Sequence, residues 1–353
     1  MSLGNGKGKE VDRSPTPPTA MPDVPRPPPM KNPSAGSANP SASFPALWGY
    51  IEPALDHIVR SSTNNSDKAP AIDVDYHMGI HTAVYNYVTS ARLDMSAVFN
   101  GSPNGQKEDK QTLHGIDLYH QLDKYFSDVC KELLAGAPPD DSNLIHYLIP
   151  CFNRYSAGAH SVNRLLNYVN RHYVKRAVEE DRGWLRLADL LDVVSKTIYE
   201  HGAREKIAKH LREKRLDELR KWGYTEGGST EELNRAEAAA EAASPLDRVV
   251  PINSMAHRRF REEVMKPLLA IPKVKGKTRK RKIPNSDSDP NRENGPKSRL
   301  ARAVKVLVES SDEDVILRKK LAADLTNAMG CVGIPMDHIL RKKLDKFGTL
   351  VGF

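Results

Sequence analysis

HMGIHTAVYNYVTS, residues His77–Ser90, is the stretch on which the fold turns. Wound at 3.6 residues per turn, it sets Ile80, Val84, Tyr87 and Val88 on one face, flanked by Ala83 and Ala91. His77, Met78, His81 and Tyr85 make a second stripe at i, i+1, i+4 and i+8. A helix joining one core needs one apolar face. Two faces leave two readings: the helix is sandwiched inside a bundle, or the second stripe is kept for another protein. Aromatic, Met and His side chains are usual anchors of such a docking face.

The neighbouring segments have the same helical texture. Leu47, Ile51, Leu55 and Ile58 recur at helical intervals in FPALWGYIEPALDHIV. Leu118, Leu122, Tyr125, Val129 and Leu133 form one stripe in GIDLYHQLDKYFSDVCKELLAG, with Gly136 as its stop. APPDDSNLIHYLIPCFNRY reads as a helix capped by Asp141 or Ser142, and SVNRLLNYVNRHYVKRAVEE as a separate amphipathic one. WLRLADLLDVVSKTIYEHG adds another. Alternating β-branched runs between tight turns are missing, so the expected class is all-α.

The ends differ in composition. Residues 1–44 are rich in Pro and Ser and poor in apolar surface, which predicts a disordered or polyproline tail. Residues 226–271 are charged and helix-prone with thin apolar stripes, 272–298 read as a basic disordered linker, and 299–353 hold helical candidates at Leu300–Val308 and Val315–Met329. Over the whole chain 39% of residues are hydrophobic and the mean hydropathy is -0.56. No run approaches the roughly 20 apolar residues that cross a bilayer, so no membrane association is expected. The 3 cysteines are too scattered for a disulfide framework or zinc site and suit a reducing compartment, nucleus or cytoplasm. No HExxH, phosphate-loop or GxSxG pattern occurs, which predicts a non-enzyme without cofactor or metal. Cys130 and Cys151 sit in apolar stripes as packing residues, and most histidines lie beside Arg, Lys and Asn, where a solvated imidazole is the default.

Four of these segments, in order, resemble the first repeat of the cullin family. HMGIHTAVYNYVTS is similar to its second helix, where an aromatic-Met-x-Leu-Tyr-Thr-x-Val-Tyr-Asn-Tyr pattern is usual. LWGYIEPALDHIV resembles the first helix, GIDLYHQLDKYFSDVCKELL the third, and FNRYSAGAHSVNRLLNYVNRHYVKRAVEEDR the fifth, most strongly at Tyr168–Arg176. The resemblance implies an elongated all-α cullin-repeat bundle over residues 45–225. It also implies a scaffold that binds a Skp-fold or BTB adaptor of a ubiquitin ligase, and through it F-box-type substrate receptors. Carried over position by position, the adaptor-binding residues are His77, Met78, His81 and Tyr85, with Tyr168 and Arg171.

The departures matter as well. Histidines stand at 77 and 81 where the family pattern is aromatic. An imidazole buries less apolar area than a tyrosine ring and gains charge on acidification, so weaker or altered, pH-sensitive adaptor binding is expected. Tyr173 replaces the usual Trp and Val88 the usual Cys, both as packing changes. Nothing after about residue 225 resembles the family's RING-recruiting C-terminal region, so RING binding and a modified lysine are not expected, and a shortened or competing paralogue is. SMAHRRFREEVMKPLLA, within 226–271, reads either as a helical remnant of the family's second repeat or as an unrelated helix.

The cluster KVKGKTRKRK leaves several readings open. Lys275, Lys277, Arg279, Lys280, Arg281 and Lys282 fit a nuclear import signal, a nonspecific nucleic-acid contact or a solvated linker. The alternative function is therefore a nuclear helical protein with a basic, nucleic-acid-contacting tail. No aromatic residues interleave with the basic ones to stack bases, which counts against it.

Overall fold

The computed structural model describes residues 29–32, 39–61, 69–99, 113–195, 204–271, 297–310 and 314–349. Among these residues all regular structure is helical; the one isolated β-bridge joins Met30 to Ile72. That bridge lies partly within the stretch expected to be a Pro-rich tail. Met30 receives a 2.9 Å hydrogen bond at its carbonyl from the amide of Asp73 and packs half-buried on the core.

The first repeat begins with α1 (Phe44–Val59), whose N-terminus is capped by the Ser43 hydroxyl accepting from the amide of Ala46. Its predicted stripe, Leu47, Ile51, Leu55 and Ile58, is buried. The decisive helix, α2 (Val74–Phe99), starts three residues before His77. Ile80, Ala83, Val84 and Tyr87 face inward as expected. Tyr76 joins them, its hydroxyl donating to the carbonyl of Tyr50 at 2.6 Å. α3 (Leu113–Ala135) buries its predicted stripe and stops before Gly136.

α4 (Asp141–Leu165) corrects two readings. Its cap is Asp140, whose carboxylate accepts from the amide of Ser142 at 3.3 Å, rather than Asp141 or Ser142. It also runs unbroken through Ser156, Ala157 and Gly158, where the sequence reads as a boundary between two helices. Gly158 is a packing residue: a Cβ there would stand 3.1 Å from both the Ile58 carbonyl oxygen and the Val59 Cα of α1. Only a bare backbone lets the two helices pass so closely.

A broken helical run follows, made of α5 (Asn167–Val169), a π-helical turn at Asn170–Val174 and α6 (Lys175–Glu179). Beyond it come α7 (Leu187–Ser195), α8 (Arg204–Arg220), α9 (Thr230–Ala243) and α10 (Ile252–Phe260). A second π-helical turn, Arg261–Met265, leads into α11 (Lys266–Leu269), and α12 (Arg299–Glu309), α13 (Val315–Cys331) and α14 (Ile339–Thr349) complete the set.

The packing runs straight across residue 225. α10 lies on α3, α4 and α9, while α12 and α13 return to α4. Buried apolar residues from Leu47 to Leu344 form a single cluster. α9 has a capping box, Ser229 with Glu232, and buries a face of Ala236, Ala239, Ala240 and Ala242. Against that small-residue face sits the end of α13, closed by a Schellman turn. Gly333 (φ +75°) donates to the carbonyl of Gly330 at 3.0 Å, and Ile334 to that of Met329 at 2.9 Å. A Cβ on Gly333 would come within 2.7 Å of the Ala243 Cα.

Candidate docking ridge

The second stripe of α2 is not covered by any of the described helices. Met78 is 55% and Tyr85 48% exposed, and His77 and His81 are exposed beside them. α5 runs alongside α2 and carries Tyr168 to the stripe. The Tyr168 ring meets His81 edge-on at 6.2 Å and Tyr85 edge-on at 5.5 Å, and His172 lies 4.1 Å beyond it. Arg171 is exposed one residue before His172. Rings from two separate helical runs, His81 and Tyr85 with Tyr168 and His172, thus meet, and the nominated His77, Met78 and Arg171 are exposed on the same two runs.

The π-helical turn Asn170–Val174 gives this run one more side chain per turn than an α-helix would, and such turns often mark functional segments. Asn170 uses the turn inward. The first two amides of α10 have no side-chain cap of their own, since Pro251 stands at the N-cap. The Asn170 Oδ1 accepts from the amide of Ile252 at 3.1 Å and the Asn163 Oδ1 from that of Asn253 at 3.2 Å. Asn170 Nδ2 then donates to Asn163 Oδ1 at 2.8 Å, tying the two caps together. Two side chains from the fifth-helix region therefore serve as the missing cap of α10. Tyr173, in the place of the usual tryptophan, packs half-buried with its ring 5.0 Å from Tyr119.

α10 is seated by further buried polar bonds. Tyr119 donates its hydroxyl hydrogen to the Val250 carbonyl and accepts from the Val250 amide, both at 2.9 Å. Tyr155 donates to the Ala256 carbonyl at 2.8 Å. Arg258 is 1% exposed and donates to the carbonyls of Pro245 at 2.9 Å and Arg248 at 2.8 Å. Arg259 makes a forked pair with Asp123 of α3, Nε to Oδ1 at 2.7 Å.

This seam overturns the expectation of solvated histidines at one position. His257 is 6% exposed, and its Nε2 shares a 2.9 Å hydrogen bond with the Ser156 hydroxyl. Burial, helped by the nearby His160, pulls its imidazole down to about 4. Glu241 faces the opposite pressure: burial pushes its carboxyl up to about 7, although Ser254 donates to it at 2.6 Å. Neither residue was singled out by the sequence, since His257 stands beside Arg258 and Arg259 and Glu241 in an alanine run that reads as a solvated helix face. Cys130 and Cys151 are buried, and burial raises the Cys130 thiol to about 12, away from nucleophilic use. Among the described residues no group of His, Cys, Asp or Glu side chains could hold a metal ion, and no helix is long and apolar enough to cross a membrane. The basic cluster from Lys275 to Lys282 lies outside the described residues.

The described residues form an all-α fold with a buried apolar cluster running from Leu47 to Leu344 and an exposed stripe on α2. The Cullin alpha solenoid domain matches residues 48–321, and the chain belongs to the cullin family. Two curated relatives agree. The chain is 22% identical over 140 residues to Cell division control protein 53 of Saccharomyces cerevisiae, covering 38% of this chain and 16% of that protein. It is 23% identical over 143 residues to Cullin-1 of Dictyostelium discoideum, covering 40% of this chain and 18% of that protein. The chain thus spans less than a fifth of the length of these relatives. No solved structure matches it. The family match continues about 100 residues past residue 225, through the segment whose own sequence carried little resemblance.

Proposed function

We propose that this chain is a non-catalytic scaffold of a ubiquitin ligase assembly, and that the ridge of α2 and α5 docks a Skp-fold or BTB adaptor. One observation carries the reading. Of the residues nominated from two segments some 80 residues apart, Tyr168 meets His81 and Tyr85, with His77, Met78 and Arg171 exposed nearby in sequence, while Ile80, Ala83, Val84 and Tyr87 on the opposite face of α2 are buried. An exposed apolar ridge of this composition costs solubility and is kept where a partner covers it.

The test is a binding measurement with a recombinant Skp-fold adaptor and the full chain. Met78→Asp and Tyr85→Asp each place a charge at the centre of the ridge and are expected to weaken binding at least about 30-fold, the size of a hot-spot loss. Far-ultraviolet circular dichroism and the melting temperature are expected to stay those of the parent. An adaptor that is not retained at micromolar concentration, or that binds both variants as well as the parent, removes the docking reading.

A further inference from the structure

The ridge is unusual in charge as well as in polarity. Along α2 it carries His77 and His81, and across the groove Arg171, with Lys175 about one turn further on, all exposed. None of these four forms an ion pair with a described residue; in that run Glu180 is engaged with Arg176 and with Arg182, each at 2.8 Å, and Glu179 is exposed four residues after Lys175. At the start of α2, Asp73 spends one carboxylate oxygen on the amide of Val74 at 2.7 Å, and Asp75 points to solvent. From the core side, α1 offers the phenol of Tyr50 and α3 offers Asp117, which lies near the buried Tyr87 rather than at the ridge. α5 contributes Tyr168, already edge-on to His81. The outward face thus presents cations and imidazoles with which no described carboxylate pairs, Asp75 and Glu179 standing at its two ends.

We infer that the ridge fits a partner surface rich in carboxylates, with His77 and His81 set opposite acidic side chains. This rests on the docking reading and adds the chemistry of the partner to it. The alternative, a wholly apolar partner face, makes the opposite demand. Against hydrocarbon each imidazolium would have to shed its water without compensation, so acid would loosen the complex. Against carboxylates each proton gained creates an ion pair, so acid tightens it. The sign of the pH dependence therefore reads the chemistry of the partner.

The experiment titrates the full chain with a recombinant Skp-fold adaptor by calorimetry at about pH 8 and about pH 6, the range in which imidazoles gain charge. The expected result is binding at both, tighter by roughly five- to tenfold at the lower pH, as two partly exposed ion pairs would give. His77→Gln with His81→Gln is expected to abolish that gain and leave the affinity at about pH 8 close to the parent's. His77→Lys with His81→Lys is expected to bind tightly at both pH values, because its charge is permanent. Arg171→Gln with Lys175→Gln is expected to flatten the salt dependence while keeping the pH response. An affinity that is unchanged or weaker at about pH 6 overturns the inference and leaves docking standing, as does a gain that survives in the double glutamine variant. Absence of binding at either pH overturns both.

Discussion

The ridge of α2 and the seam beneath α10 invert the usual rule in opposite ways. On the ridge, Met78 and Tyr85 are about half exposed; in the seam, Arg258 and His257 are buried. The first region puts apolar surface in water, the second puts ionisable groups away from it. The seam tolerates this because its buried groups are tied by specific bonds: carbonyls accept from Arg258, a hydroxyl pairs with His257 and Asp123 with Arg259. The ridge tolerates it because its core face alone secures the helix. One region is therefore sensitive to any single deletion, and the other is free to vary without structural loss.

Four substitutions sharpen that contrast, the largest effect first. Arg258→Ala removes a fully buried guanidinium and leaves the Pro245 and Arg248 carbonyls without donors. A loss of about 4 kcal/mol is expected in urea denaturation, from the vacated volume and the unmet carbonyls together. Gly333→Ala comes next, at about 3 kcal/mol, since the left-handed backbone and the Ala243 Cα 2.7 Å away both oppose a Cβ. Asn170→Ala strips the borrowed cap of α10 and is expected to cost about 2 kcal/mol, the upper range for a cap. Met78→Asp, by contrast, should stay within about 0.5 kcal/mol of the parent. A ridge variant as damaging as the seam variants would erase the distinction between the two regions.

The seam also sets a pH response whose sign can be worked out. His257 is held at about 4 when folded, against about 6.5 unfolded. The unfolded chain binds the extra proton between those values, so stability from this group is full above about pH 6.5 and is lost as pH falls toward 4. Glu241 titrates at about 7 folded, against about 4.3 unfolded. There the folded chain binds the extra proton, so its contribution is present at low pH and is lost as pH rises toward 7. Between about pH 4.5 and 6.5 the two slopes oppose each other. Glu241→Gln is expected to expose the histidine's rising slope in that window and to stabilise the chain at about pH 8. A stability profile unchanged in that variant would falsify the assignment.

Much of the first repeat was legible in the sequence because its signal is periodic and local. The stripes of α1, α2 and α3 are buried at the positions their spacing gives, and the second stripe of α2 is exposed. What failed to show was non-local. Gly158 reads as a breaker, and only the passage of α1 against it makes it a packing residue. The four alanines of α9 give a weak apolar pattern, yet small side chains are what allow the α13 turn to approach. Asn163 and Asn170 look like ordinary surface amides until α10 arrives 82 residues later to be capped. α14 went unread because its basic sequence, RKKLDKFG, hides the two buried leucines, Leu340 and Leu344. The exposed stripe of α2 was legible by its spacing, whereas the approach of the Tyr168 ring to His81 and Tyr85 showed only in the structure.

The turn at Asn170–Val174 divides the ridge into two banks with unequal freedom. Asn170 fastens α10 while Arg171 and His172 look outward, so the α5 bank can change only around a fixed Asn170. The α2 bank has no such duty. Its exposed positions 77, 78, 81 and 85 can be rewritten without touching the core, and two of them already hold histidines in place of the family's aromatic habit.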